Sequence, residues 1–258
     1  MTIPALSVIV PTLNEEGCIR EFLERVSVFL DSRRLVWEIV VVDDGSSDQT
    51  VARVEHAQEA DERIRLFRQP HQGKGAAVRR GMLGARGTWR LMTDADLSVP
   101  PEEWAAFLDA AARTDAEVIV GSREAPGSRR IGETLRRHLV GRVFNWVVRL
   151  CVLPGLQDTQ CGFKLLRADA AQGVFPHVTI DGFAFDVELL FLARRAGFRV
   201  REVGVVWVCR KDSRVSISRG AAAFVDVLHI RFNAWRGSYG PLHERQAVAS
   251  TGNKDRVF

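Results

Sequence analysis

Leu91-Met92-Thr93-Asp94-Ala95-Asp96-Leu97 is the stretch on which the reading of this chain turns. A short apolar run carries two acidic side chains, one residue apart, to the expected C-terminal tip of a buried strand. Alternate residues of a strand point the same way, so Asp94 and Asp96 are expected to project together. Neighbouring carboxylates repel, and each resists ionisation unless positive charge sits between them. A hard divalent cation with oxygen ligands would supply that charge. Taken alone, the pair could instead be one helix-capping and one solvated aspartate.

Upstream, the pattern alternates strand and helix. Ala5 to Val10 is an apolar, β-branched run ended by Pro11, and it reads as a buried strand. Thr12-Leu13-Asn14-Glu15-Glu16 leads into a helix with Ile19, Phe22, Leu23, Val26 and Leu30 on one face. Trp37 to Val42 is a second buried strand that runs into Asp43-Asp44-Gly45-Ser46-Ser47-Asp48, where Ser47 or Asp48 can cap a helix starting near Thr50. This β-α-β-α order implies a parallel sheet with right-handed crossovers. Ligands of such sheets bind beyond the carboxyl ends of the strands, where the polar clusters after Val10, Val42 and Thr93 converge. A third short strand, Ile64 to Phe67, precedes His71-Gln72-Gly73-Lys74-Gly75 and a small-residue helix over 76–86. Glycines flanking a lysine before a helix suit an anionic group lying on backbone N–H donors, although a turn with a solvated lysine is as ordinary.

Downstream, Pro100-Pro101-Glu102-Glu103 opens a helix through Leu108, and Glu117 to Gly121 is a strand leading to Ser122-Arg123. Residues 129–152 mix six arginines with Leu135, Leu139, Phe144, Trp146, Val147, Val148 and Leu150. That is the composition of a basic amphipathic helix or helix pair of the kind that lies in a headgroup layer, or of a surface helix with its stripe on the core. Gln157 to Leu165 is polar, the run from Asp181 to Leu190 places Asp186 at the start of an apolar helix, and 198–207 reads as a strand. Arg210 to Arg214 is a basic loop. A further amphipathic helix is expected from about Ala221 to Trp235, with Phe224, Leu228, Phe232 and Trp235 on one side.

Composition bounds the function. With 258 residues, 46% hydrophobic and 26% charged, the chain can bury a sizeable core. A net charge of +4 suits anionic substrates or an anionic membrane face, but there is no concentrated basic run of a nucleic-acid binder. The four cysteines lack metal-ligand or disulfide spacing, so reduced thiols are expected. No signal peptide or membrane span is read, and no G-x-G-x-x-G follows the first strand, against a dinucleotide-binding enzyme.

In order, Val8-Ile9-Val10-Pro11-Thr12-Leu13-Asn14-Glu15-Glu16, Val41-Val42-Asp43-Asp44-Gly45-Ser46, Gly73-Lys74-Gly75 and Asp94-Ala95-Asp96 resemble the inverting nucleotide-sugar glycosyltransferases of the GT-A fold. Asp158 to Leu165 and Phe183 to Leu190 are similar to the dolichyl-phosphate glucosyltransferase branch, whereas Asp94 to Ser98 resembles the mannosyl branch. The resemblance covers roughly residues 5–236. It implies an α/β GT-A domain over 1–236, with a nucleotide-binding half to about 125, an acceptor-binding half over 126–236, C-terminal amphipathic helices, and a polar, disordered tail over 237–258. It further implies that Pro11, Asn14, Glu15, Asp43, Asp44, Gly45, Lys74, Asp94 and Lys211 bind donor, and that Asp94 and Asp96 hold Mg2+ or Mn2+ against the diphosphate. Arg123, with Arg129 or Arg130, would hold a polyprenyl phosphate. Asp96, Asp186 and Arg214 would act in catalysis. The eukaryotic glucosyl enzymes carry an N-terminal anchor that is not read here, so attachment at the cytoplasmic membrane face is expected to be peripheral.

The expected reaction moves a hexose from a nucleotide sugar, UDP-glucose first and GDP-mannose second, to a lipid phosphate with inversion. A phosphate acceptor is already ionised near neutral pH and needs positioning and charge screening. A hydroxyl acceptor, the alternative, needs a carboxylate base, for which Asp186 is the candidate.

Overall fold

The computed structural model describes residues 2–209 and 217–242. The β-branched runs do form the centre of a sheet: β1 (Leu6–Thr12) pairs in parallel with β2 (Trp37–Asp43), and β2 with β3 (Ile64–Arg68). On the other side β1 pairs in parallel with β4 (Trp89–Met92). Every residue of β2 is buried, as expected of a strand covered on both faces.

Between them lie α1 (Ile19–Ser32), α2 (Thr50–Ala60) and α3 (Lys74–Gly84). After β4 come α4 (Pro101–Ala112), β5 (Val118–Ser122), the short β6 (Arg129–Ile131) and α5 (Leu135–Cys151). Then follow β7 (Lys164–Arg167), α6 (Ala168–Val174), α7 (Phe185–Arg195), β8 (Val200–Gly204), β9 (Val206–Val208) and α8 (Ile217–Trp235). The main sheet has the order β3-β2-β1-β4-β7-β5-β8, and β6 and β9 form a parallel two-stranded sheet of their own.

Strand alternation divides the core into two layers. Val8 and Val10 join α1, α2 and α4 around Trp104 and Phe107, while Ile9 and Met92 join α3, α6 and α7 around Phe175 and Phe185. One strand breaks the parallel rule. β7 runs antiparallel to both β4 and β5, pairing Lys164 with Met92 and with Val120. Its first residue therefore reaches the same edge as the last residues of its neighbours.

Three expectations are corrected. Arg129 and Arg130 belong to β6, not to the following helix, because the backbone of Arg129–Ile131 pairs with Val206–Val208. The strand expected over 198–207 is two strands in different sheets. The segment read as a polar tail from 237 starts with packed residues: Tyr239 is 3% exposed, its ring beside Phe191 and its hydroxyl donating to buried Glu188 at 2.9 Å.

Helices α5 and α8 pack together through Phe144 and Phe224, edge to face at 5.1 Å between centroids. Phe144 and Val148 point into the core, as do Val227 and Ile230. Yet α5 also leaves Leu139, Val143, Trp146 and Leu150 in solvent, and α8 leaves Val225, Leu228, Phe232 and Trp235 there. Spacings of three and four put each set on one helix face. Among the described residues no helix is long and apolar enough to cross a membrane.

Candidate active site

The loops after β1 and β2 are stitched together. Asn14, in the left-handed region at φ +55, accepts the Ser47 N–H at 2.8 Å on Oδ1, and its own N–H donates to Ser46 Oγ at 2.8 Å. The N–H of Glu15 donates to Thr50 Oγ1 at 2.7 Å. Pro11 continues β1 opposite Val42. Asp43 Oδ2 accepts the N–H groups of Gly45 and Ser46, each at 3.1 Å, but its Oδ1 is buried without a hydrogen-bond partner. An unsatisfied buried acceptor is costly, and at a strand end facing a ligand edge it marks where a donor group belongs.

Asp44 behaves differently. Its two oxygens accept Gln69 Nε2 at 2.7 Å and the N–H groups of Gln72 and Gly73 at 3.0 and 2.9 Å, with His71 Nδ1 at 2.7 Å. Asp44 anchors the loop, with both of its oxygens engaged by the 69–73 segment. Gly45 serves the same join, since a Cβ there would stand 2.9 Å from the His71 amide nitrogen at a φ of +84.

The lysine loop spends its glycine N–H groups in the same way. Gly73 gives its N–H to Asp44, and Gly75 donates to the Asp181 carbonyl at 2.7 Å. Neither is left for an anion. Side chains at Gly73 and Gly75 would collide with the Asp181 and Ile180 carbonyls, so these glycines permit the 180–181 segment to lie against the start of α3. The side chain of Lys74, the first residue of α3, is what the loop presents, and Nζ stands 2.5 Å from Asp94 Oδ1. Burial would lower the pKa of Lys74, but Asp94 and then Asp186 outweigh it and hold the ammonium charged above its usual range.

Asp94 and Asp96 do not come together through strand alternation. β4 ends at Met92, and the pair sits on the turn beyond it, where Leu97 takes a φ of +55. Asp96 curls back to accept the Ser98 N–H at 2.9 Å and hydroxyl at 2.7 Å. Burial, with Asp94 next, raises its pKa above the ordinary carboxylate value. Gly162 closes on Asp94 from the 157–163 loop, so tightly that a methyl group there would fall on Asp94 Oδ2.

Asp186, in the first turn of α7, is 4% exposed and accepts Lys164 Nζ at 2.5 Å on Oδ1. Burial raises its pKa despite Lys164 and Lys74. Lys164, completely buried, also donates to the Cys161 carbonyl at 2.6 Å.

The arginines expected to hold an acceptor phosphate divide. Arg123 grips fully buried Asp158 in a fork, Nε to Oδ2 at 2.7 Å and Nη2 to Oδ1 at 2.9 Å, and lies 5.4 Å from the Trp207 ring centroid. Burial opposes that carboxylate's ionisation, but Arg123 overrides it and draws the pKa of Asp158 down to about 2. Arg130 is held by Glu133 and Glu124 at 2.5 and 2.7 Å. In this arrangement both guanidinium groups are taken up by carboxylates of the chain itself. Arg129 stays exposed, with Glu103 3.9 Å away. Its strand lies next to β9, whose Val208 N–H donates to the Ser98 carbonyl at 2.7 Å, close to Asp96. Lys211 and Arg214 lie outside the described residues.

Among the described residues no group of three His, Cys, Asp or Glu side chains could enclose a metal. Asp94 and Asp96 nevertheless fit a hard cation that takes its remaining ligands from a diphosphate, as Mg2+ commonly does. The raised pKa of Asp96 marks a charge awaiting compensation. Sequence reading gave no role to Asp158, Gly162, Lys164 or Glu188. The available signals were a polar, glycine-containing stretch between apolar runs and a lysine opening an apolar strand.

A mostly parallel sheet with helices on both faces, carrying an acidic turn and a lysine at the carboxyl edge, is the GT-A architecture of nucleotide-sugar transferases. The family model described as "Glycosyl transferase family 2" matches residues 7–175, and the chain belongs to that family. It is 35% identical over 245 residues to a dolichyl-phosphate beta-glucosyltransferase of Trichomonas vaginalis, covering 89% of this chain and 75% of that one. With the dolichyl-phosphate beta-glucosyltransferase of Dictyostelium discoideum it shares 32% identity over 241 residues, covering 88% and 74%. The fold is also that of glucosyl-3-phosphoglycerate synthase from Mycobacterium tuberculosis, crystallised with Mn2+, UDP-glucose and phosphoglyceric acid. There the TM-score is 0.63 at 19% identity, over 89% of this chain and 79% of that one.

Proposed function

We propose that this chain transfers glucose from UDP-glucose to a polyprenyl phosphate of the dolichyl type, with inversion, at the surface of a membrane; GDP-mannose is the second donor to try. The observation that carries the reading is a physical connection. Gly162 lies against Asp94, and three residues before it Thr159 donates its N–H and hydroxyl to Asn145 Oδ1 of α5 at 3.4 and 3.2 Å. The acidic turn is thus joined by one short loop to a helix whose outer face is apolar.

Asp43, through its unpartnered Oδ1, accepts an N–H or hydroxyl of the nucleoside. Lys74 shares its charge between Asp94 and the donor diphosphate. Asp94 and Asp96 would hold Mg2+ or Mn2+ there, neutralising the leaving nucleoside diphosphate. A phosphate oxygen of the lipid attacks the anomeric carbon from the face opposite the diphosphate; that bond forms as the bond to the leaving oxygen breaks. No proton need move, because the attacking oxygen arrives ionised. Arg129 is the exposed guanidinium suited to hold that phosphate, with Lys211 and Arg214 adding charge. The outer faces of α5 and α8 rest in the headgroup layer.

The test is incubation with Mn2+ or Mg2+, polyprenyl phosphate and a panel of nucleotide sugars. Lipid-linked glucose formed from UDP-glucose is the expected product. Transfer only to hydroxylated acceptors would overturn the lipid reading and restore Asp186 as a general base.

A further inference from the structure

A lysine is almost never fully buried unless something demands it, and no step of the proposed transfer uses Lys164. Its place follows from topology: because β7 runs antiparallel, its opening residue lies between Met92 and Val120, at the edge where the donor site forms. We infer that Lys164 is a positioning residue whose ammonium keeps Asp186 an ionised, fixed counter-charge for Lys74, and so sets the donor lysine.

The geometry behind this is a meeting of four segments. Lys164 lies 2.5 Å from Asp186, and Lys74 lies 2.5 Å from Asp94. The two pairs abut, since a Cβ on Gly75, the residue after Lys74, would come 2.8 Å from the Cβ of Phe185, the residue before Asp186. On the far side Gly162, two residues before Lys164, touches Asp94. The charges therefore alternate from one pair to the next: Lys164 with Asp186, and Lys74 with Asp94, with Asp186 also attracting Lys74. A carboxylate as buried as Asp186 takes up a proton when its cation is removed. A neutral Asp186 no longer attracts Lys74, which is left to Asp94 alone and is less available to a diphosphate.

The inference rests on the donor half of the proposed function and is independent of the acceptor. Its test is calorimetric binding of UDP, with GDP as a second arm, in the presence of Mn2+. Lys164→Met is expected to weaken binding about tenfold, the scale of coupling between groups in contact, and Lys164→Arg to keep most of it. A space-filling role predicts the opposite order, since Met fits the volume and Arg overfills it. In an Asp186→Asn background, Lys164→Met should cost nothing further. Wild-type binding by Lys164→Met, or losses that multiply in the double variant, would overturn the inference. Should Lys164→Met fail to fold by circular dichroism, the double variant against Asp186→Asn decides alone. A wild-type protein that binds neither nucleotide overturns the donor reading and this inference together. Nucleotide binding without transfer to polyprenyl phosphate overturns the acceptor reading only.

Discussion

Two ion pairs of similar length do opposite work in the two halves of this molecule. Lys74 and Asp94 meet at 2.5 Å with both side chains partly in solvent, at 22% and 35% exposure. Arg123 and Asp158 meet at 2.7 Å with the carboxylate sealed from water. The first is open, single-pointed and surrounded by carboxylates that resist ionisation. The second is a closed fork whose carboxylate ionises more readily than usual. An open pair can trade its partner for a substrate phosphate; a closed one can only hold the chain.

The largest expected effect lies in the closed pair. Asp158→Ala leaves a buried guanidinium uncompensated, which costs about 3–5 kcal/mol of stability. Thermal unfolding should show it, with the melting temperature falling by several degrees. The pH dependence has a definite sign. Asp158 titrates at about 2 in the folded chain against an ordinary 3.8, so its stabilisation is present above pH 4 and lost as pH falls from there toward 2. Asp158→Asn should flatten that acid limb.

The open cluster should respond the other way. Asp96 has a raised pKa, so its ionised form is a strain on the fold that lessens as pH falls into the carboxylate range. Asp96→Asn imitates the protonated form. Transfer should drop by roughly 10²–10³, the usual loss when a group stabilising transition-state charge is removed. Yet the melting temperature of the metal-free protein should stay level or rise. A variant that loses both activity and stability would make Asp96 a structural residue, and the contrast with Asp158 would fail.

Gly162→Ala tests the place where one half touches the other. The added methyl meets Asp94 Oδ2 inside a packed loop. Overpacking of that kind costs about 1–3 kcal/mol. Here it should appear as a lower kcat/KM, because Asp94 is the side chain able to move. Wild-type kinetics would show that Asp94 has room to spare.

The stretch from β1 to β4 was legible in the sequence because its signals are local. Unbroken β-branched runs such as Ile39-Val40-Val41-Val42 state a buried parallel strand, and each polar cluster follows its strand directly. The stretch from β5 onward was not, because its decisive partners are distant. Asp158 lies 35 residues from Arg123, and nothing near Arg123 announces that it is taken. Lys164-Leu165-Leu166-Arg167 forms a strand, yet its first two residues close the polar stretch that starts at Gln157, and direction is not written in four residues. The acidic pair was recognised for a reason that does not hold, since it sits on a turn. Its chemistry was readable, while the geometry was not.

The apolar helices extend the comparison to the surface. Trp146 and Trp235, at 59% and 83% exposure, hold no core together. Replacing both by Ala should leave thermal stability within about 0.5 kcal/mol, as surface changes do. Co-sedimentation with anionic vesicles should nonetheless fall clearly, since interfacial aromatic rings bury apolar area on binding. Unchanged sedimentation would remove these faces from the membrane reading.

A modest effect belongs to Tyr239, where the segment after α8 meets the frame of the site. Glu188 accepts the Thr179 and Ile180 N–H groups at 2.9 and 2.8 Å, the Thr179 hydroxyl at 2.7 Å and the Tyr239 hydroxyl at 2.9 Å. Through residues 179–181 this carboxylate steadies the carbonyl that Gly75 binds. Tyr239→Phe removes one of four donors, so the cost should be about 0.5–1.5 kcal/mol. Tyr239 is the chain's one tyrosine, so phenolate absorbance reports it alone. Burial, then the negative charge of Glu188, pushes its pKa above the usual 10.0. Alkaline titration should find no phenolate near pH 10 in the folded protein, and an ordinary transition in urea. Glu188→Gln, by removing the charge but leaving the burial, should return only part of that shift.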